Sequence, residues 1–104
     1  MWFTQGWKDK IFGGFTNSAG MNEDKLSTIH YFYTLAMQHH GVWIGSSLMP
    51  SSAKSQKRDD VNYLSCFAGA MMQTPFAAST DEINKGDLET VTLYGTRIKE
   101  FASR

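Results

Sequence analysis

Six consecutive residues, Asn17-Ser18-Ala19-Gly20-Met21-Asn22, all small or amide except Met21, lie between a short apolar run and a long amphipathic segment. A strand, a small-residue loop and a helix N-terminus in that order leave backbone N–H groups free. Such groups can donate to the carbonyl or phosphate oxygens of a flat ligand. A second candidate is His39-His40-Gly41. It reads either as a histidine placed near a cofactor or as a helix C-terminal cap, because His complements the helix dipole and Gly supplies a left-handed turn. Trp2, Trp7 and Trp43 are packing residues by default, and Trp2 or Trp7 could also form a wall against a flat ligand.

Other chemistries find less support. Ser18, Ser27, Ser65 and Cys66 are nucleophiles by residue type alone, with no G-x-S-x-G elbow around them. Cys66 sits in an apolar run and reads as a small buried hydrophobe. There is no G-x-G-x-x-G and no P-loop. A metal site joining His30 to His39 or His40 would have to span about 14 Å along one helix. No cysteine pair or His-Glu spacing replaces it, so no metal is expected.

The elements that must position these residues follow from periodicity. Lys10-Ile11-Phe12-Gly13-Gly14-Phe15-Thr16 predicts a strand, residues 17–22 its loop, and Asn22 an N-cap with Glu23 and Asp24 in the first turn. Leu26, Ile29, Phe32 or Tyr33, Ala36 and Met37 recur at helical spacing, and the helix is expected to end near His40 with Gly41 at C′. Val42-Trp43-Ile44 predicts a second strand. Residues 45–62 form an excursion that is either functional or disordered. A further strand is expected to end near Gln73. Asp87 is expected to cap a last helix with Leu88, Val91, Tyr94 or Gly95, Ile98 and Phe101 or Ala102 on its apolar face. Alternating strands and helices imply an α/β layer with a parallel sheet.

Bulk properties fit one small packed unit. The chain has 104 residues, 41% hydrophobic and 13% aromatic, with ten basic and ten acidic side chains. A net charge of +0 gives no electrostatic basis for binding a phosphate backbone. The one basic cluster, Lys54, Lys57 and Arg58, is followed by Asp59 and Asp60 and reads as a solvated loop. A single cysteine permits no internal disulfide, and no apolar run approaches the roughly 20 residues of a membrane span. A cytoplasmic location is expected.

The run Trp2-Phe3-Thr4-Gln5-Gly6-Trp7-Lys8-Asp9-Lys10, then Gly14-Phe15-Thr16-Asn17-Ser18, then His39-His40-Gly41, resembles the second half of WrbA-type proteins. These are flavodoxin-like, FMN-dependent NAD(P)H:quinone oxidoreductases. Asp87-Leu88-Glu89 through Tyr94-Gly95 and Arg97 resembles their last helix. The resemblance covers nearly the whole chain. It implies that residues 1–104 are the C-terminal half of a flavodoxin-like doubly wound parallel sheet, supplying strands four and five with their helices. It further implies that Asn17, Ser18, Ala19, Gly20, Met21 and Asn22 line FMN, that Trp2 flanks the quinone and nicotinamide pocket, and that His40 (with His39 as second choice) touches the flavin as a hydrogen-bonding or proton-donating group. The loops that hold the FMN phosphate and the other flavin edge in that fold have no counterpart in this sequence. A bare strand-four edge follows, with association into a homo-oligomer or with an N-terminal half. The alternative is a non-enzymatic interaction domain, or a remnant, that self-associates.

Overall fold

The structure is a computed structural model that describes residues 1–104. Four strands and two long helices follow an N-terminal series of turns: β1 (Ile11–Phe12), β2 (Phe15–Ser18), α1 (Lys25–Gln38), β3 (Val42–Trp43), β4 (Ala70–Gln73) and α2 (Lys85–Ala102), with a 3-10 turn at Thr80–Glu82. All pairing is parallel: β1 with β3, and β2 with β4. α1 packs on β2 and β3, and α2 on β4 and β1. The α/β class and the parallel sheet are those expected from the sequence.

The expected single strand over residues 10–16 is interrupted at Gly13-Gly14 and runs on to Ser18, so Asn17 and Ser18 belong to a strand and not to the loop. The interruption has a physical cause. β1 pairs with the chain before the excursion, β2 with the chain after it. Where the partner changes, the Gly14 N–H and the Ile44 C=O are left facing each other without a direct ladder bond. The Tyr94 hydroxyl fills the gap, accepting from Gly14 N at 3.2 Å and donating to Ile44 O at 2.6 Å. Burial of this phenol pushes its pKa up, partly offset by the Gly14 N–H. A Cβ at Gly13 would lie 2.6 Å from the Tyr94 hydroxyl and 2.3 Å from Ile98 Cδ1. Glycine at 13 is therefore what lets α2 reach the sheet.

The excursion is longer than expected and runs from Gly45 to Gly69, between β3 and β4. Its hub is Asn62, buried and in the left-handed region with φ 53°. Asn62 Nδ2 donates to Leu48 O and Cys66 O, its Oδ1 accepts from Cys66 N, and its own N–H donates to Thr90 Oγ1 on α2. One amide thus satisfies the backbone of a segment that has no ladder of its own. The Cys66 thiol is free and buried, as its apolar surroundings imply.

Three expected details are corrected. Asn22 does not cap α1; Asp24 holds that position with φ 55°, and Asn22 instead accepts the Asp24 N–H on its Oδ1 at 3.0 Å. Gly41 is not the C′ residue. His40 is, with φ 56°, and the Gly41 N–H closes the motif onto Ala36 O at 2.9 Å. Glycine is needed at 41 for a different reason, since a Cβ there would meet the Phe12 ring at 2.4 Å. Finally, Asn84 and not Asp87 caps α2, and Leu88 is exposed.

Candidate ligand loop at the carboxyl ends of the strands

The loop following β2 lies at the carboxyl end of the parallel pair, where Ser18 stands beside Gln73. Side chains from three elements take its carbonyls. Gly20 O accepts from Ser18 Oγ at 2.8 Å and from Lys25 Nζ at 2.9 Å, and Ala19 O accepts from Gln73 Nε2 at 2.7 Å. The Gly20 N–H is taken by Glu23 Oε1 at 2.7 Å. The N–H groups of Ala19, Met21 and Asn22 have no acceptor in the chain, and all three residues are exposed. Two of the loop's carbonyls, those of Ala19 and Gly20, are thus held by side chains, while three of its N–H groups have no partner in the chain.

Beside it, Met21, Asn22 and Leu26 face Tyr63, Leu64, Ser65 and Met71 across a cleft of about 440 Å³. Four of its walls (Met21, Leu26, Leu64 and Met71) are aliphatic or thioether side chains, and Tyr63 adds an aromatic ring. A flat ring system fits such walls, and the open N–H groups suit its oxygens.

A second layer supports the loop. Arg58 grips Asp87 through two hydrogen bonds at 2.8 and 2.7 Å and donates to Gln73 O at 3.1 Å, while Gln73 N donates to Asp87 Oδ2 at 2.9 Å. Arg58 is therefore not part of a solvated basic loop. It ties the excursion to α2 and β4, and its hydrogen bond to Asp87 raises its pKa. No local pattern marks this pair, whose members lie 29 residues apart. Lys25 has no motif around it either. Only its position, as a cation at a helix N-terminus where the dipole disfavours one, could have marked it.

His40 and Trp2 lie elsewhere. The loop precedes α1 and His40 follows it, so 14 helical residues separate them, about 21 Å at 1.5 Å each. His40 is exposed, and the Trp2 indole N–H donates to Gln38 O at 3.0 Å, at the same far end of α1. Within one chain neither meets the Asn17–Asn22 segment. His39 lines a separate apolar groove of about 340 Å³ with Trp7, Phe12, Phe32 and Trp43, and its ring lies tilted at 46° to that of Trp7, with centroids 4.7 Å apart.

A solved structure supplies the decisive likeness. The WrbA-like flavodoxin from Agrobacterium tumefaciens superposes with a TM-score of 0.70 at 37% identity, over 98% of this chain and 48% of that one. The fold is flavodoxin-like. The sequence is also 45% identical over 103 residues to Flavodoxin FldP of Pseudomonas aeruginosa (strain UCBPP-PA14), covering 99% of this chain and 56% of that protein. No family model matches. The chain thus spans about half the length of the proteins it resembles. No helix of this flavodoxin-like chain is long and apolar enough to cross a membrane.

Proposed function

We propose that the chain supplies the ring-facing loop of an FMN site in a flavin-dependent NAD(P)H:quinone oxidoreductase. The observation that carries this reading is the loop at the strand ends. Its Ala19 and Gly20 carbonyls are held by Ser18, Lys25 and Gln73, and its Met21 and Asn22 N–H groups have no partner beside the mostly apolar cleft. In open α/β sheets the crevice beyond the carboxyl ends of the strands is the ligand position. Asn17–Asn22 would hold the flavin, which supplies hydride transfer when bound. The protein's part is to orient the ring and exclude water.

The site is completed by further strands laid against the open β1–β2 edge, on the same polypeptide or another; the half-length match to both relatives supports this. In this reading residues 1–104 are the C-terminal half of the domain. His40 and Trp2 face a flavin only across an interface between copies, because a helix length separates them from the loop, so the working form is a homo-oligomer. A cytoplasmic location belongs to the same reading. A second reading is an electron-carrying flavodoxin without quinone turnover, favoured by the likeness to a protein of that name.

The test is titration of FMN into the folded chain, followed by flavin fluorescence, and then stopped-flow oxidation of NADH and NADPH with and without benzoquinone. Quenching with a micromolar Kd supports the flavin site. Quinone-dependent turnover favours the reductase, and binding without turnover favours the carrier. No quenching, either by the chain alone or after adding the matching first half of a relative, overturns both.

A further inference from the structure

Lys25 is an unexpected residue where it stands. It opens α1, where the dipole disfavours a cation. It is 2% exposed, and burying an ammonium costs several kcal/mol unless it is well bonded. No carboxylate pairs with it; Arg58–Asp87 is the one ion pair in the chain. Its Nζ donates instead to two backbone carbonyls, Gly20 O at 2.9 Å and Met72 O at 3.0 Å. Burial lowers its pKa, with Glu23 and Asp87 opposing and Arg58 adding to the fall. A packing role alone would be served better by Leu or Met.

We propose that Lys25 is a positioning residue that fixes the Gly20–Met21 peptide plane and so aims the Met21 N–H at the ligand. The peptide is planar and trans, so a carbonyl held inward turns the N–H of the next residue outward. Gly20 C=O is held by Lys25, assisted by Ser18, and the Met21 N–H on the opposite side of that peptide has no acceptor in the chain. The neighbouring planes are fixed by other groups. Ser18 C=O is held by Thr74 N at 3.0 Å, and Ala19 C=O by Gln73. Lys25 also bridges the loop to Met72 of β4, so the donor direction is tied to the sheet. This role rests on the flavin reading above, but the direction of the Met21 N–H is measurable without any ligand.

The experiment is the amide spectrum of the 15N-labelled, flavin-free chain, then FMN titration, for wild type, Lys25→Met, Lys25→Arg and Ser18→Ala. Lys25→Met is expected to shift or split the Met21 amide resonance and to weaken FMN binding about tenfold, the scale of one hydrogen bond to a charged group. Lys25→Arg restores affinity to within about threefold, since a guanidinium keeps the donors. A folded Lys25→Met with an unmoved Met21 amide overturns the proposal. Should Lys25→Met fail to fold, Lys25→Gln decides on the same amide, with wild type and Ser18→Ala as references: a displacement larger than that of Ser18→Ala supports the role of Lys25, and one no larger overturns it. If wild type binds no FMN even with the matching first half of a relative added, the flavin reading falls while the Met21 amide still decides the role of Lys25.

Discussion

The two ends of the sheet are built in opposite ways. At the carboxyl end, polar side chains meet one another: Lys25, Ser18 and Gln73 hold the loop, and Arg58 and Asp87 hold Gln73. At the amino end, Trp7, Phe12 and Trp43 surround an apolar groove, Trp2 and Trp7 are half exposed, and His39 Nδ1 has no partner. Hydrogen bonds are directional and fix atoms in place, so the first end is preorganised for a small polar-edged ligand. Apolar contact is non-directional, and a wide aromatic surface suits cover by another protein surface.

Removing one anchor from each end should cost unequal amounts of stability. Arg58→Met leaves the buried Asp87 carboxylate with only the Gln73 N–H, and urea unfolding should show a loss of about 3 kcal/mol. Trp7→Ala at the other end should cost only about 1 kcal/mol, the scale of aromatic contacts to Phe12 and His39. Equal losses would sink the distinction.

Next in size is the bridge between the two ends. Tyr94→Phe strands the Ile44 C=O and the Gly14 N–H, with an expected loss of about 2 kcal/mol. This contribution depends on pH. Folded Tyr94 keeps its proton to higher pH than the unfolded chain, whose tyrosines titrate near 10. Its stabilisation is complete below about pH 10 and falls as pH rises from there through the folded value. Lys25, with a lowered pKa, pulls the other way, so the quantity to follow is wild type minus Tyr94→Phe between pH 8 and 11. A difference that stays flat above pH 10 would contradict the raised pKa.

The smallest effect separates two roles of one residue. His40 occupies a left-handed position that favours glycine, and His40→Gly should raise stability by about 1 kcal/mol in thermal unfolding. If His40 also serves a flavin pocket across an interface, the same variant loses quinone turnover as it gains stability. Retained turnover would leave His40 with the cap alone.

Much of the architecture was legible because it depends on local patterns. Ile29 and Ala36 at helical spacing gave α1, and the run around Ala70 gave the last strand to within its end at Gln73. The caps were misplaced by one to three residues. Asn22, Gly41 and Asp87 are the right residue types for their expected roles, but nearby residues hold the cap positions, while Gly41 packs against Phe12 and Asp87 pairs with Arg58. The site was half legible. The loop residues were identifiable from composition, while Lys25, Gln73 and Arg58 were not, because what they bond to lies across the fold.

By itself the sequence determined the order of strands and helices, the small-residue loop at the end of the first strand, and the burial of Cys66, since each follows from neighbours along the chain. Only the tertiary structure decided that one strand changes partners at Gly14 under a tyrosine bridge. It alone decided that a buried lysine aims the loop, and that His40 and Trp2 stand a helix length from it. Those facts depend on which distant backbone groups are left unpaired when the layers close, and no local pattern encodes that.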